Sequence, residues 1–227
     1  MRLLALDTAT ENCSAALLLE DRLLTREAEL GRGHAERILP MIDELLVTAG
    51  TSLGGLDAIA FGRGPGSFTG VRLAASITQG LAFGAGLGIV AISDLRALAQ
   101  RAFDEDAQVA RALVCNDARM QEVYWGCFER GSDGLALASS AERVDPPGSI
   151  GLPPDWSGVA GLGRGFAAHP VLRALAGVVV PEGWERLLPR AAEVARLAIP
   201  QVAAGRLLGP EAALPVYLRD DVARPPP

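Results

Sequence analysis

The chain has 227 residues, enough for one large domain or two small domains of roughly 100 residues each. Its formal net charge of −6 argues against a surface that attracts a polyanion as a whole, and no apolar run reaches the ~20 residues that a membrane-spanning helix needs. All 21 basic residues are arginine, which excludes a Walker P-loop and Schiff-base catalysis because both require a lysine.

The three cysteines indicate the redox compartment. Cys13, Cys115 and Cys127 are far apart, odd in number and without a C-x-x-C spacing. This pattern excludes the usual zinc and redox motifs and favours buried free thiols in a reducing compartment. The apolar part of the N-terminal stretch MRLLALD is too short for a signal peptide, so we expect a cytoplasmic protein without a membrane contact.

The first half of the chain alternates predicted strands with predicted helices. Apolar runs predict five strands, at 3–7, 14–21, 22–30, 56–62 and 88–92. Apolar residues at helical spacing predict helices over 34–49, 70–86 and 94–103. Gly50 is a good stop for the first helix, Pro40 is expected to bend it or delay its start, and Ser93 is a natural N-cap for the third.

The strand pattern begins again in the second half. A strand predicted at 110–117 ends in Asp117 as the first strand ends in Asp7, and each leads to a second and a third strand. We interpret this as an internal duplication, which predicts an α/β fold of two similar lobes, residues 1–104 and 105–227. The alternative is that any two hairpins look alike.

The second lobe is predicted to be less regular than the first. After its first three strands, at 110–117, 122–129 and 135–139, strands are predicted within 157–165 and 176–183, and a helix from 189 to about 204. The C-terminal segment is able to pack back on the first lobe. The final three prolines, 225–227, predict a frayed tip.

The stretch GRGPGSFTGVRLA (62–74) links a predicted strand to a predicted helix. A glycine loop at a helix N-terminus is a ready anion site, and two arginines and two hydroxyls lie near it. The loop also suits a tight, closely packed turn, which we favour over a phosphate contact. The residues of a vestigial nucleotide or anion site would be Asp7, Thr8, Arg63, Gly64, Gly66, Ser67 and Asp117.

Five stretches together resemble one protein family. They are LALDTAT (4–10), GHAERILPMIDELL (33–46), AIAFGRGPGSFTGVRLA (58–74), DARMQEVYW (117–125) and PVYLRDDVA (215–223). On these stretches the chain resembles the TsaB (YeaZ) family of the actin, Hsp70 and sugar-kinase superfamily. The resemblance implies two RNase H-like lobes with mixed sheets and flanking helices.

The resemblance also implies a function. Members of this family help to make N6-threonylcarbamoyladenosine at position 37 of tRNAs that read codons beginning with A. They bind a catalytic paralogue, TsaD, as a heterodimer, work with the ATPase TsaE and reach tRNA through the complex. By this resemblance we expect no tightly bound cofactor in the chain, ATP use through TsaE and a metal ion held by TsaD. A homodimer is the assembly to consider when the chain is alone.

The residues themselves argue against catalysis by this chain. After its fifth strand the paralogue carries an H-x-x-x-H metal pair, whereas the matching stretch here, AISDLRALA (91–99), has Asp94 and no histidine. One carboxylate without imidazole or thiolate partners is a poor site for a first-row metal. The alternative is an ATP-dependent kinase or nucleotidase in which Asp7, with Thr8, and Asp117 hold Mg²⁺ and a nucleotide across a cleft.

Ser67 and the two histidines are weaker candidates for chemistry. A hydrolase with Ser67 as nucleophile and His34 as base is disfavoured, because Pro65 and Thr69 occupy the glycine positions of G-x-S-x-G. His34 is expected at a helix N-terminus on the surface. His169, which precedes a proline in a loop, is expected to be exposed to solvent.

The resemblance, in which the first lobes of TsaB and TsaD meet through two helices, implies two helix faces that bind the catalytic paralogue. In the helix over 70–86, Leu73, Ile77 and Leu81 suit the sheet of the lobe, which leaves a face of small or neutral residues for a partner. The helix over 34–49 has apolar residues on more than one side. The predicted partner-binding residues are His34, Met41, Leu45, Arg72, Ala75, Thr78, Gln79 and Ala82. The alternative is that both helices are buried only within their own lobe.

Overall fold

The computed structural model describes residues 1–219, and the three prolines predicted to form a frayed tip lie outside this range. Its strands are β1 (Arg2–Asp7), β2 (Asn12–Leu19), β3 (Arg22–Glu29), β4 (Ala58–Gly62), β5 (Gly88–Ile92), β6 (Arg111–Asp117), β7 (Val123–Arg130), β8 (Ala136–Ala138), β9 (Arg143–Asp145), β10 (Val159–Leu162) and β11 (Val178–Val179). Its α-helices are α1 (His34–Ala49), α2 (Phe68–Ala85), α3 (Asp94–Glu105), α4 (Gly165–Ala168) and α5 (Ala191–Ala203).

The ends of α1 follow from its flanking residues. The helix begins at His34 and runs through Pro40, so the proline does not delay its start. Gly50 ends it as predicted, because this glycine adopts the left-handed conformation (φ 63°) and its N–H bonds the carbonyls of Leu46 and Val47.

Serine side chains cap the next two helices. α2 starts two residues before the predicted position, because Ser67 accepts a hydrogen bond from the N–H of Gly70 and closes the first turn. Ser93 caps α3 as predicted, by accepting from the N–H of Arg96. Among residues 1–219, no helix is both long and apolar enough to cross a membrane.

The strands form two sheets of the same design, which confirms the predicted pair of similar α/β lobes. The first sheet has the order β3-β2-β1-β4-β5, and the second has the matching order β8-β7-β6-β10-β11, with β9 added beside β7. In each sheet the first strand pairs antiparallel with the second (β1 with β2, β6 with β7). Each first strand also pairs in parallel with a later strand (β1 with β4, β6 with β10). The repeated Asp-ended strand is therefore the same element of each sheet.

Two helices lie between the sheets, and each covers the sheet built by the other half of the chain. α3 packs on β6, β7, β8 and β10 of the second sheet, whereas α5 packs on β1, β2, β4 and β5 of the first. Their apolar residues share one cluster with the inner faces of both sheets. Because each half depends on a helix from the other half to bury its inner face, the two halves form one continuous core.

The outer face of the first sheet is covered by α1 and α2, and here one prediction is wrong. Ala75, Thr78 and Ala82, predicted to face a partner, are buried in the core against the sheet. Leu73, Ile77 and Leu81, predicted to face the sheet, are only half-buried. Small side chains allow a helix to approach a sheet closely, so the larger residues are displaced to the flank of α2.

The prediction that Met41 and Leu45 form a second apolar side of α1, facing a partner, is also wrong. Met41 and Leu45 are buried together with Ile38 and Ile42, in the i, i+3, i+4, i+7 pattern of a single stripe. Their side chains therefore pack within this chain and leave no surface for another subunit.

Candidate functional site between the two sheets

A cleft of about 690 Å³ opens between the two sheets at the ends of their central strands. It is lined by the turn after β1, the start of α1, the glycine loop, the turn after β6 and the C-terminal segment. The lining residues include Ala9, Thr10, Glu11, His34, Pro65, Gly66, Ser67, Phe68, Arg72, Asn116, Asp117, Arg119, Tyr124, Tyr217 and Arg219. His34, Ser67, Arg72 and Asp117 were predicted from the sequence, and the structure brings them to this one cavity.

The glycine loop is packed against the turn after β1. A Cβ on Gly66 would overlap the backbone of Ala9, and one on Gly70 would overlap the carbonyl oxygen of Thr8. The hydroxyl of Thr8 donates to the carbonyl of Gly70 at 2.7 Å. Of the loop glycines, Gly64 is the one with a left-handed backbone (φ 100°). The glycines thus permit a close approach of two turns.

Most groups that would bind an anion at this loop are already engaged within the chain. The N–H of Gly64 donates to Asp94 Oδ2, and the N–H of Ser67 donates to the carbonyl of Ala9 at 2.7 Å. The guanidinium of Arg63 lies 3.5 Å from Glu142. These contacts favour the packed turn, and a phosphate contact stays a prediction.

Asp7 does not face the cleft. It is fully buried, and its Oδ1 accepts from the N–H of Ala9 at 2.9 Å. Its Oδ2 lies near Asp94 Oδ1, because a Cβ added to Gly62 would be 2.6 Å from the first oxygen and 2.5 Å from the second. Neither oxygen has a hydrogen-bond partner elsewhere in the described chain. Two carboxyl oxygens so placed in the core need one shared proton to act as donor and acceptor.

The environment of this pair favours that proton. Burial raises the pKa of Asp7, while hydrogen bonds from Asp94 and Ala9 and the charge of His34 oppose the rise. Burial, and then the adjacent carboxylate of Asp7, raise the pKa of Asp94 well above its ordinary value. The N–H of Gly64 and the charge of Arg63 act in the opposite direction on Asp94. We therefore treat the pair as one carboxylic acid bonded to one carboxylate.

Asp117 lines the cleft and is held by basic residues. Its carboxylate accepts from the N–H of Arg119 at 3.0 Å and lies 3.2 Å from the guanidinium of the same residue. His169 Nε2 lies 3.5 Å from Asp117 Oδ1, and the side chain of this histidine is only 11% exposed. The prediction that His169 is solvent-exposed is therefore wrong: the short helix α4 ends at Ala168 and turns the imidazole inward.

The two aspartates do not form the predicted pair across the cleft. Asp7 faces Asp94 in the core, and Asp117 forms an ion pair with Arg119. Within residues 1–219, no three His, Cys, Asp or Glu side chains are grouped closely enough to hold a metal ion. Asp7 and Asp117 are therefore not placed together to hold Mg²⁺ and a nucleotide across the cleft.

Asn116 is a cleft residue that sequence reasoning missed. It is buried, and neither its Oδ1 nor its Nδ2 has a hydrogen-bond partner. Ala112 and Val114 of β6 face the shared inner core, so strand alternation directs Asn116 to that same side, as it directs Asp7 on β1. Asn116, and not Asp117, is thus the structural counterpart of Asp7. The signal available in the sequence was a polar residue at a β6 position whose side chain alternation directs to the buried side of the sheet.

Ser67 and His34 are not arranged as a nucleophile and its base. Ser67 Oγ is the acceptor that caps α2, and His34 Nε2 lies 2.9 Å from the carbonyl oxygen of Thr10. Both side chains are thus engaged with the backbone that shapes the cleft.

Comparison with known proteins places the chain in a family. Residues 27–155 match the sequence model of the family described as TsaD, tRNA N6-adenosine threonylcarbamoyltransferase. The tRNA threonylcarbamoyladenosine biosynthesis protein TsaB of Escherichia coli is 42% identical over 228 aligned residues, which cover 98% of this chain and 96% of the relative. The chain belongs to the TsaB family. The Haemophilus influenzae protein of the same name is 54% identical over 125 residues, 55% of this TsaB-family chain and 52% of the relative.

Solved structures agree with this TsaB-family assignment. YeaZ from Pseudomonas aeruginosa is 43% identical, covers 96% of this chain and 99% of its own, and superposes with a TM-score of 0.86. A second structure from that organism, described as an uncharacterized protein with similarity to peptidase YEAZ, gives a TM-score of 0.88 at 43% identity and the same coverage. The RNase H-like fold predicted from the sequence is thus confirmed.

Proposed function

We propose that this chain is a non-catalytic subunit required for threonylcarbamoyl transfer to adenosine 37 of tRNAs that read codons beginning with A. It acts in the cytoplasm by binding and supporting the catalytic paralogue TsaD. The names of its TsaB relatives and the match of residues 27–155 to the TsaD family support a place in this pathway. ATP enters through TsaE, the metal is held by TsaD, and tRNA is reached through the complex.

The observation that carries the non-catalytic role lies at the start of α3. The stretch 91–99, where the paralogue has its histidine pair, contains no histidine here, and its one carboxylate, Asp94, is buried against Asp7. Asp94 Oδ2 also accepts from the N–H of Gly64. Because Oδ2 of Asp94 is engaged by Gly64 and Oδ1 is buried facing Asp7, this side chain does not reach a metal or a nucleotide in the cleft.

The surface that binds TsaD is proposed to be the groove between α1 and α2. On α1, Glu44 forms an ion pair with Arg26 of the edge strand β3, so this polar flank faces the edge of the sheet. The opposite flank, which faces α2, carries Leu39, 48% exposed, and half-buried Leu46. An apolar flank that lies beside another helix and is still exposed is suited to cover by a partner.

The facing flank of α2 completes the groove. Arg72, on the far flank, bonds Tyr217 of the C-terminal segment, so the flank with Leu73, Ile77 and Leu81 faces α1. Gly80 and Gly84 are exposed on that side, and a Cβ at either would meet nothing within 4 Å. Glycines beside half-buried leucines let a partner helix approach closely. In the absence of TsaD, the same groove is the surface on which two copies of this chain would pair.

Binding to TsaD is tested with two arginine variants of α2. Gly80→Arg places a charge in the groove without a clash in the free protein, and Gln79→Arg places the same charge on the opposite, exposed flank. Co-purification with TsaD should fail for Gly80→Arg and succeed for Gln79→Arg, because an unpaired buried charge costs about 2–5 kcal/mol of binding energy. Normal binding of both variants would overturn the proposed surface, and turnover of ATP by the purified chain alone would overturn the non-catalytic role.

A further inference from the structure

The C-terminal segment of the described chain forms one wall of the cleft. After α5 it runs along the edge of the first sheet, where Leu208 and Ile89 exchange two backbone hydrogen bonds of 2.9 Å and 3.0 Å. A short 3-10 helix, Pro210–Ala212, then packs on α2. Residues 214–219, which we call the strap, have no regular secondary structure. Their position is therefore set by individual contacts.

The first half of the strap is attached to the glycine loop and α2. The N–H of Val216 donates to the carbonyl of Arg63 at 2.8 Å. Arg72 Nε donates to the hydroxyl of Tyr217 at 2.7 Å, and its guanidinium lies 3.5 Å from the ring centre of Phe68. The Tyr217 ring is also near Phe68, with centroids 6.2 Å apart. The backbone bond is therefore reinforced by an arginine that stacks on Phe68 and bonds the hydroxyl of Tyr217.

The second half of the strap is attached to the other sheet. Arg219 donates to the carbonyl of Ala118 at 3.1 Å and to the carboxylate of Glu122 at 2.6 Å. Its side chain is 16% exposed, so this charged pair is largely removed from water. The strap thus connects the glycine loop of the first sheet to the β6–β7 turn of the second.

The turn that Arg219 holds has a strained backbone. Arg119, Met120 and Gln121 are consecutive residues in the left-handed region, with φ of 61°, 54° and 61°. Side chains other than glycine rarely adopt this region, and three in succession persist only where the surroundings enforce them. Arg219 bonds both ends of the turn, at Ala118 and Glu122.

We propose that the strap is a latch for the cleft. While its contacts are made, it narrows the cleft as one of its walls and holds the β6–β7 turn in its left-handed form. When Arg219 is released, the turn relaxes, the strap leaves the glycine loop and the cleft opens. Residues 216–219 themselves form one wall of the cavity, so release changes its size and its lining. This inference does not depend on the proposed function.

Hydrogen–deuterium exchange on the full chain tests the latch. Arg219→Met keeps the length of the side chain but removes its donors, and Leu214→Ala, an exposed position on the same strap, is the matched control. We expect Arg219→Met to speed exchange about tenfold both at 118–122 and at Val216, whose N–H bonds the glycine loop, while β1 and β6 keep the parental rates. Leu214→Ala should match the parent at all of these sites. Faster exchange confined to 214–219, or faster exchange in every strand, would overturn the proposal.

A second variant tests the role of the strained turn. Gln121 is exposed and left-handed, so Gln121→Gly relieves strain without removing a buried contact. If the latch works by holding the turn, Gln121→Gly added to Arg219→Met should restore slow exchange at 118–122. Exchange at Val216 should remain fast, because the strap is still detached from the glycine loop. A double variant that behaves like Arg219→Met alone at 118–122 would contradict the proposed link between the strap and the strained turn.

Discussion

Asp7 and Asp94 face each other in the core as a pair that needs one shared proton, although four strands and two α-helices separate them in the sequence. The pair connects three parts of the cleft. Asp7 holds the N–H of Ala9 in the turn after β1, Asp94 holds the N–H of Gly64 in the glycine loop, and Asp94 opens α3. These carboxyl groups fix the two loops that line the cleft, and they do not enter it.

The shared proton predicts how stability depends on pH. The pKa of Asp94 is raised on folding, so its contribution is fully present below the ordinary pKa of an aspartate and is lost as the pH rises through the folded value. Asp94→Asn should remove this loss of stability with rising pH. The asparagine amide can accept from the N–H of Gly64 and donate its own N–H to Asp7 without taking up a proton from solvent. We therefore expect the stability of the variant relative to the parent to rise as the pH is raised from 5 to 8.

Thermal or denaturant unfolding at several pH values measures this difference. Asp43→Asn, at an exposed position on α1, is the matched control and should follow the parent at every pH. A parent protein that becomes more stable from pH 5 to pH 8 relative to Asp94→Asn would show that the pair does not share a proton.

The packed glycine loop predicts a cost for side chains at Gly66. Gly66→Ala places a Cβ against the backbone of Ala9, so folding stability should fall by about 1–3 kcal/mol. Gly80→Ala is the control, because a Cβ there meets open space and should be neutral or stabilise α2 by up to about 1 kcal/mol. Urea midpoints distinguish the two, and equal midpoints would mean that the close approach of the two turns is not rigid.

The buried face of α2 predicts a different outcome from the one expected from the sequence alone. Ala75 is 4% exposed and packs in the core of the first sheet. Ala75→Arg should therefore misfold or unfold, since a buried unpaired charge costs several kcal/mol. Gln79→Arg should remain soluble and melt like the parent. If the Ala75→Arg protein is soluble and melts cooperatively, this face of α2 is exposed and available to a partner, and the core placement is wrong.

The strands and most helix ends could be predicted because they depend on local patterns. Ser93, Gly50 and the Asp-ended strands are signals within a few residues of the elements that they define. The faces of α2 could not be predicted in this way. Periodicity identified two stripes, but the choice of the buried one depended on how closely α2 approaches the sheet, which is a tertiary property.

The cleft was predicted only in part for the same reason. The sequence indicated Asp7 and Asp117 as strand-end acids, but strand alternation turns Asp7 inward and makes Asn116 its counterpart. The contact of Asp7 with Asp94 spans 87 positions, and that of Arg219 with Glu122 spans 97. No local signal connects residues so far apart, so the carboxyl pair and the strap became apparent only from the structure.

Reconstituted threonylcarbamoyl transfer to tRNA, with TsaD, TsaE and the threonylcarbamoyl-adenylate donor, tests the central claim most directly. Two variants of this chain are compared with the parent: Gly80→Arg in the groove between α1 and α2, and Asp117→Asn in the cleft. If the chain acts by binding TsaD, Gly80→Arg abolishes transfer, whereas Asp117→Asn leaves at least about half of the parental rate. Loss of transfer with Asp117→Asn, together with full activity of Gly80→Arg, would contradict a non-catalytic role and would place the chemistry in the cleft.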